Sequence, residues 1–364
     1  MKETLLYVAS TPFEAARLVE ILPDEHKSKK LHGHSFNAKI RANLPSDWAS
    51  FTGSESKDLQ SIIKQSVDPI DYSFLNDLIA IPTDENIARW LWSQLNIPGL
   101  ESIGIESTRE QGVDLGFSNQ AHIWHKFRFE AAHQLPYVEK GHPCGRMHGH
   151  GFEVILHANQ DLDKEDMGVD YDLLEEIWKP IQEKLNYSCL NDIQGLKNPT
   201  SEVLANWIWE KIKPKLPVLS WVTVYETITA GCNYDGQVYR IWKEQRFESA
   251  VKLINAPDED VRKRLHGHSY LVRLHLSAPL DDIMGWTVDY GDVKKLFKSL
   301  YNDLDHRLIN EQLNIEDAGI KSILKWIQSG MMENLPQLDR IDLYETPNHG
   351  GILCWGNEGP SLPI

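Results

Sequence analysis

The sequence predicts an α+β protein in which three tandem β-β-α-α-β-β units join their sheets edge to edge into one antiparallel barrel, with the helices outside. Three observations carry that expectation. A His-Gly-His tripeptide preceded by Leu or Met occurs three times, at His32-Gly33-His34, His148-Gly149-His150 and His266-Gly267-His268, each downstream of a matching segment: Phe13 to Ala16, Phe129 to Ala132 and Phe247 to Ala250. The period of about 117 residues is far longer than a solenoid repeat and close to a small domain. Four antiparallel strands per unit leave open edges, which a ring of about twelve strands abolishes. Short linkers favour that ring over three beads on a string.

The elements follow from local pattern. In the middle copy, Ala121 to Phe129 and Phe152 to His157 alternate aromatic or β-branched residues with polar ones and read as strands, with a Pro-, Gly- and His-rich loop, Pro136 to Cys144, between them. Leu173, Leu174, Ile177, Trp178 and Ile181 recur at helical spacing within Tyr171 to Leu185. Thr200 or Ser201 caps a second helix carrying Val203, Leu204, Trp207 and Ile208 on one face. Trp221 to Thr227 and Gln237 to Trp242 complete the unit as strands. The first copy repeats the order with Ser35 to Ala42, Ser54 to Val67, Glu85 to Leu95 and Ile103 to Ser107, and the third with Tyr270 to Leu276, Val293 to Leu304, Ile320 to Ile327 and Arg340 to Glu345. Linkers fall near Gly116-Phe117-Ser118-Asn119 and Lys243-Glu244, which divides the chain into domains 1–116, 121–241 and 243–358.

Composition narrows the class. A net charge of −16 argues against a nucleic-acid partner, which would want a basic face. The four cysteines, Cys144, Cys189, Cys232 and Cys354, form no CxxC pair and suit a reducing compartment. No apolar run reaches membrane length and the start, Met1-Lys2-Glu3-Thr4, has no signal-like apolar stretch, so the expectation is a soluble cytoplasmic protein without a membrane partner.

The copies are not equivalent, and their differences locate the chemistry. Only the middle copy continues Phe-Glu-Ala-Ala into a histidine, His133, and only it has a cysteine, Cys144, just before the His-Gly-His. Residues i and i+2 of a strand share a face, so His148 and His150 present two imidazoles side by side, and His133 can add a third from the neighbouring strand. Three histidines with no fourth protein ligand nearby describe a catalytic zinc with an open position. Arg17 and Val251 stand in the place of His133, and Ser28 and Arg262 in that of Cys144. An arginine beside two histidines disfavours a dication and a valine cannot ligate, so one zinc per chain is expected.

The middle copy resembles the 6-carboxytetrahydropterin synthases of the queuosine pathway, within the wider 6-pyruvoyltetrahydropterin synthase family. The resemblance rests on Phe129-Glu-Ala-Ala-His-Gln-Leu-Pro136, Gly141-His-Pro-Cys-Gly-Arg-Met-His-Gly-His150, Tyr187-Ser-Cys-Leu-Asn-Asp-Ile193, Asn198-Pro-Thr-Ser-Glu-Val-Leu-Ala205 and Glu226-Thr-Ile-Thr-Ala-Gly-Cys232. The outer copies resemble the same family more weakly. The resemblance implies the tunnel-like T-fold, in which trimers of single-domain subunits close a twelve-stranded barrel and stack in pairs; this chain would be a covalent trimer and a homodimer of it a pseudo-hexamer. It also implies zinc on His133, His148 and His150, Cys144 as proton carrier, Glu226 as pterin anchor and Glu202 as a second wall residue. The family's Asp-His pair, contributed by a neighbouring subunit, is absent from the middle copy, where Asn186-Tyr187 stands, and is reduced to Asp71-Tyr72 in the first. It is intact as Asp305-His306 in the third, which is therefore expected to lend the pair to the middle copy's site.

The implied reaction is a zinc-dependent lyase step from 7,8-dihydroneopterin triphosphate to 6-carboxy-5,6,7,8-tetrahydropterin. Zinc would take the substrate's side-chain hydroxyls, Cys144 as thiolate would remove a carbon-bound proton, and His306, oriented by Asp305, would shuttle protons. The alternatives are a 6-pyruvoyltetrahydropterin synthase and a catalytically decayed pterin-binding scaffold.

Overall fold

The structure is a computed structural model that describes residues 3–281, 283–360 and 362; Met1 and Lys2, placed above in the first domain, lie outside the described residues. The first repeat comprises β1 (Thr4–Arg17), β2 (His32–Ala42), α1 (Glu55–Val67), α2 (Asp84–Gln94), β3 (Leu100–Thr108) and β4 (Gln111–Gly116). The second comprises β5 (Gln120–His133), β6 (His148–Asp161), α3 (Tyr171–Leu185), α4 (Ser201–Ile212), β7 (Leu219–Thr227) and β8 (Ala230–Tyr234). The third comprises β9 (Tyr239–Val251), β10 (His266–Ala278), α5 (Tyr290–Leu304), α6 (Ile320–Met331), β11 (Leu338–Thr346) and β12 (His349–Cys354).

These twelve strands pair in chain order, each antiparallel to the next, and β12 pairs back onto β1 from Thr4↔Cys354 to Ala9↔His349. The ring is thus closed and every long strand has two neighbours, which removes the open edges that a single unit would expose. The expected threefold T-fold barrel is the observed one. No helix among the described residues is long and apolar enough to cross a membrane.

Strand alternation splits the side chains between two environments. Phe127, Phe129 and Ala131 of β5 face outward under the helices, where α3 buries Leu174, Ile177, Trp178, Ile181 and Leu185 against them. The helices start where the sequence places caps: Asp170 accepts from the Asp172 N–H and Thr200 from the Val203 N–H. The inner face is largely polar and paired. Lys39 meets Glu106 at 2.8 Å, Arg273 meets Glu244 at 3.0 Å and Arg340 meets Asp342 at 2.6 Å. The segment after β12 turns into this space. Arg240 and Arg340 donate to the carbonyls of Asn357 and Glu358, and Leu362 is buried against Trp124, Ile155, Tyr225 and Trp242.

Two details differ from the sequence reading. The fourth strand of the middle repeat is Ala230–Tyr234, and Gln237 to Trp242 leads into the first strand of the third repeat. The linker read at Lys243–Glu244 therefore lies inside β9, and the turn between repeats falls at 235–238. Ala-Gly-Cys-Asn-Tyr has weak β propensity, but β8 is held by ladders on both sides and is buried throughout, so tertiary pairing overrides the local preference. Gly231 is needed there: a Cβ would come within 2.4 Å of the Trp242 ring, which lies across it.

The inner face also holds neutral histidines. His275 lies 3.2 Å from Asp342 and is pushed down to about 3 by burial, while His157, bonded to the Thr223 hydroxyl at 2.7 Å, is likewise lowered by burial. A depressed folded-state pKa gives stability that is complete above the unfolded value near ~6.5 and is lost as pH falls toward the folded one. Urea unfolding at stepped pH should therefore show stability falling from about pH 6.5 to 4. His275→Gln should reduce that slope by up to about 1.4 kcal/mol per pH unit, one proton's share. An unchanged slope in the variant contradicts the assignment.

Candidate active site

The site forms where the second repeat meets the third. Register places His133 directly opposite His148 at the paired ends of β5 and β6, with His150 two residues further along the same face. The ring centroids of His133 lie 4.5 Å from His148 and 5.1 Å from His150. Backbone carbonyls fix the rings. The His133 Nδ1–H donates to Pro199 O at 3.0 Å and the His148 Nδ1–H to Arg146 O at 2.7 Å, which turns each Nε2 lone pair inward. His133 Nε2 and His150 Nε2 are buried and have no hydrogen-bond partner among the described residues. Burial also lowers both histidines, His133 to about 4, so the imidazoles are neutral and able to ligate. The orphaned nitrogens of His133 and His150, with His148 beside them, fit a divalent metal.

A fourth donor joins them. A ligand atom from each of His133, His148, His150 and Glu226 lies within 4.8 Å of the others. Glu226 Oε1 sits 3.9 Å from His133 Nε2 and 3.8 Å from His150 Nε2, too far for a hydrogen bond to either. The expectation of no fourth protein ligand nearby therefore does not hold, because β7 pairs beside β6 and brings its Glu226 to the triad. Burial, with Glu202 and Asp289 nearby, pushes the Glu226 carboxyl up to about 7.

Cys144 stands at the mouth of this group on a single helical turn, Pro143–Gly145, capped by His142. It lines one cavity of about 560 Å³ with His148, His150, Glu226, Lys243 and Tyr290. Burial and then the carboxylates of Glu226 and Asp289 raise the thiol pKa. The protein alone therefore does not favour the thiolate; a bound dication would have to offset those charges.

The opposite wall comes from the third repeat, and it is not the wall expected. Trp286, Asp289 and Tyr290 border the space beside Cys144 and Glu226. They are held by the second repeat: Asn198 Nδ2 donates to Met284 O at 2.6 Å, the Thr200 hydroxyl donates to Gly285 O, and Ser201 and Tyr290 share a 2.7 Å hydroxyl contact. Glu202 accepts from the Thr287 N–H at 2.8 Å. In the first repeat Glu85 accepts from the Gly168 N–H at 2.8 Å in the same way, so this carboxylate joins neighbouring repeats whether or not a metal triad is present. Sequence reading missed Trp286, Asp289 and Tyr290, although Val169-Asp170-Tyr171 and Val288-Asp289-Tyr290 repeat one another ahead of α3 and α5.

Asp305 and His306 do not line the cavity. Tyr290, which does, opens α5, and the pair follows the other end of that 15-residue helix, about 21 Å away. Asp305 accepts from the Glu248 N–H at 2.9 Å and from the His306 ring at 2.9 Å, and His306 is exposed with a φ of 55°. Asn186 and Asp71 make the same backbone bond in the other repeats, at 2.9 Å each, followed by left-handed Tyr187 and Tyr72. The side-chain oxygen at this position thus has a local role shared by all three repeats, and the histidine is what distinguishes the third.

The outer His-Gly-His segments are differently occupied. Arg17 fills the position of His133; its guanidinium bonds Asp84 at 2.7 Å and Pro82 O at 2.9 Å and lies 3.4 Å from His34. Asp84 in turn accepts from Ser107 and Tyr171. A fixed cation therefore stands where the middle repeat offers lone pairs. In the third repeat Val251 faces His266, and Glu345 pairs with His349 at 3.2 Å.

Such a barrel, with a histidine cluster able to hold a metal and a cysteine at a repeat interface, defines a class of T-fold proteins. The model of the 6-pyruvoyl tetrahydropterin synthase family matches residues 7–110, 122–237 and 240–353, and the chain belongs to that family, three times over. It is 38% identical over 119 residues to a 6-carboxy-5,6,7,8-tetrahydropterin synthase of Synechocystis sp., covering 31% of this chain and 91% of that one. It is 29% identical over 96 residues to a dihydroneopterin monophosphate aldolase of Pyrococcus furiosus, covering 26% and 81%. Among solved structures, a Caenorhabditis elegans 6-pyruvoyl tetrahydropterin synthase aligns at 19% identity and a TM-score of 0.29 over 33% of this chain and 96% of that one.

Register supplies a direct test of the triad. Val251 opposes His266 as His133 opposes His148. Val251→His should add a third imidazole and raise bound metal from one to two equivalents per chain by elemental analysis after dialysis. His133→Ala should reduce it to zero. Metal retained by His133→Ala would show that the triad is not the site.

Proposed function

We propose that the chain is a zinc-dependent lyase converting 7,8-dihydroneopterin triphosphate, with one water, to 6-carboxy-5,6,7,8-tetrahydropterin, acetaldehyde and triphosphate. The observation that carries the reading is the cavity lined by His148, His150, Cys144 and the buried Glu226, with His133 clustered behind the two histidines. His133, His148 and His150 would hold zinc, which when bound supplies Lewis acidity toward the substrate's side-chain hydroxyls. Glu226 accepts the pterin's ring N–H and exocyclic amine, two parallel donors that a carboxylate matches. That fixes the side-chain carbon next to the ring against Cys144, whose sulfur takes its proton. Asp289 and Tyr290 close the site from the third repeat and limit water, and Glu202 holds the segment that carries them.

A second copy of the chain supplies the remaining proton carrier in this proposal. His306 cannot reach Cys144 along its own helix, yet it lies beside the strand ends that bear the His-Gly-His segments. That end of the barrel also exposes Tyr72 and Tyr187, each 86% accessible, together with Leu31, Met147 and Leu265. Apolar residues repeated around one rim suit a twofold stacking of two barrels, which would lay the Asp305-His306 pair of one chain over the cavity of the other. Acetaldehyde is the product that separates this reaction from a pyruvoyl-forming one, and its absence from a turnover assay would overturn the reading.

Two predictions follow from these roles. Glu226→Gln should keep its metal while losing neopterin binding by isothermal titration; loss of metal instead would make Glu226 a ligand. Cys144→Ala and His306→Ala should each cut turnover on the order of 10² or more. If the proton carriers come from different chains, mixing and refolding the two variants should restore up to about one quarter of wild-type turnover, since half the dimers would be mixed and each would hold one intact site. No recovery would place both groups in one chain or none in the reaction.

A further inference from the structure

Cys144 is held from two directions. Its carbonyl accepts from the Leu135 N–H at 2.8 Å, just beyond His133, which fixes the turn to its own repeat. Its N–H donates to His142 Nδ1 at 3.2 Å. A neutral imidazole that accepts at Nδ1 carries its proton on Nε2, and that nitrogen lies 3.4 Å from Asp289 Oδ2 of the third repeat. Asp289 is itself fixed, because its other oxygen caps α5 by accepting from the Gly291 N–H. The His142 ring also lies beside Trp286, with 6.1 Å between ring centroids. His142 thus bridges the backbone of the cysteine and the wall that the third repeat presents.

The other repeats provide an internal control. His26 stands as far before His32 as His142 does before His148. It accepts from the Ser28 N–H at 3.1 Å and lies 3.4 Å from Asp170 Oδ2, and Asp170 caps α3 as Asp289 caps α5. Two junctions therefore share one histidine–aspartate clasp, and in the first of them the residue it holds is a serine beside Arg17. In the third repeat Asp260 takes the histidine's place and accepts from the Arg262 N–H at 2.9 Å. The capped turn is common to all three repeats, and the middle one alone sets a thiol on it, facing a cavity.

We propose that His142 is the positioning residue for Cys144: it clasps the cysteine's turn to Asp289, so that the seating of the third repeat on the second sets where the sulfur stands. Its effect on turnover rests on the lyase reading above; its effect on the thiol does not. A displacement of reacting atoms by about 1 Å can cost on the order of 10² in rate, so a contact that never touches substrate still governs the proton transfer.

The test uses the full-length chain and the variants His142→Ala, His142→Asn and His26→Ala. His142→Ala should keep its metal and lower kcat at least about tenfold with KM within about twofold, because placement is lost and binding is not. His142→Asn, whose side-chain oxygen can take the Cys144 N–H as Asp260 takes that of Arg262, should recover about half of the lost turnover or more. His26→Ala opens the equivalent clasp beside Arg17 and should leave kcat within about twofold of wild type. Without substrate, iodoacetamide should alkylate Cys144 at least about threefold faster in His142→Ala than in the wild type or His26→Ala, read on the cysteine peptide by mass spectrometry. A released turn lets the sulfur leave the carboxylates of Glu226 and Asp289, which disfavour its thiolate. An unchanged alkylation rate, a wild-type kcat in His142→Ala, an Asn variant no better than Ala, or an equal kcat loss in His26→Ala overturns the proposal. If alkylation follows the expected pattern but the wild type forms no acetaldehyde, the lyase reading fails and the clasp stands.

Discussion

The unpaired edge of the β-sheet is the constraint on which the rest depends. A four-stranded unit ends in two rows of free N–H and C=O groups, and three such units in one chain satisfy them by pairing β4 with β5, β8 with β9 and β12 with β1. Closure does more than satisfy the backbone. It brings the segment before the first helix of one repeat against the His-Gly-His end of the previous one, and this is how a wall made by Trp286 and Tyr290 comes to face His148 and Cys144. The active-site cavity is a by-product of sheet closure, shaped by hydrogen bonds such as Glu202 to Thr287 that bind the repeats together.

Three interfaces of one ancestry then take three chemical forms. At the second–third junction, neutral imidazoles leave lone pairs unpartnered, a state that costs stability unless a metal takes them. At the first–second junction, Arg17 and Asp84 form a buried pair with its own hydrogen bonds, and removing either partner would strand a charge at about 3–5 kcal/mol. At the third, Val251 contributes an apolar side chain at the ligand position. Each solution satisfies the fold, and only the first retains an open valence for chemistry.

The sequence disclosed the repeat, the barrel and the triad because each has a local signature: the recurring His-Gly-His, the alternation of strands, and His133 set against Arg17 and Val251. What it concealed was set by tertiary pairing. Ala230–Tyr234 is a strand only because β7 and β9 flank it, so its weak propensity hid it and shifted the repeat boundary to Lys243. Glu226 adjoins the triad through a strand neighbour far along the chain. Asp305 and His306 carried a recognisable pair, but a sequence cannot say which end of a helix reaches the neighbouring site, and α5 presents its first turn, not its last.

One of three homologous strand ends groups residues able to hold a metal, and the third repeat borders the cavity beside it. Crystals grown with zinc and neopterin, with anomalous maps collected on both sides of the zinc edge, test it most directly. A single anomalous peak per chain is expected between His133, His148 and His150, with the pterin between Glu226 and the segment carrying Tyr290. A peak at His32 and His34 or at His266 and His268, or a pterin lying away from the third repeat, would contradict it.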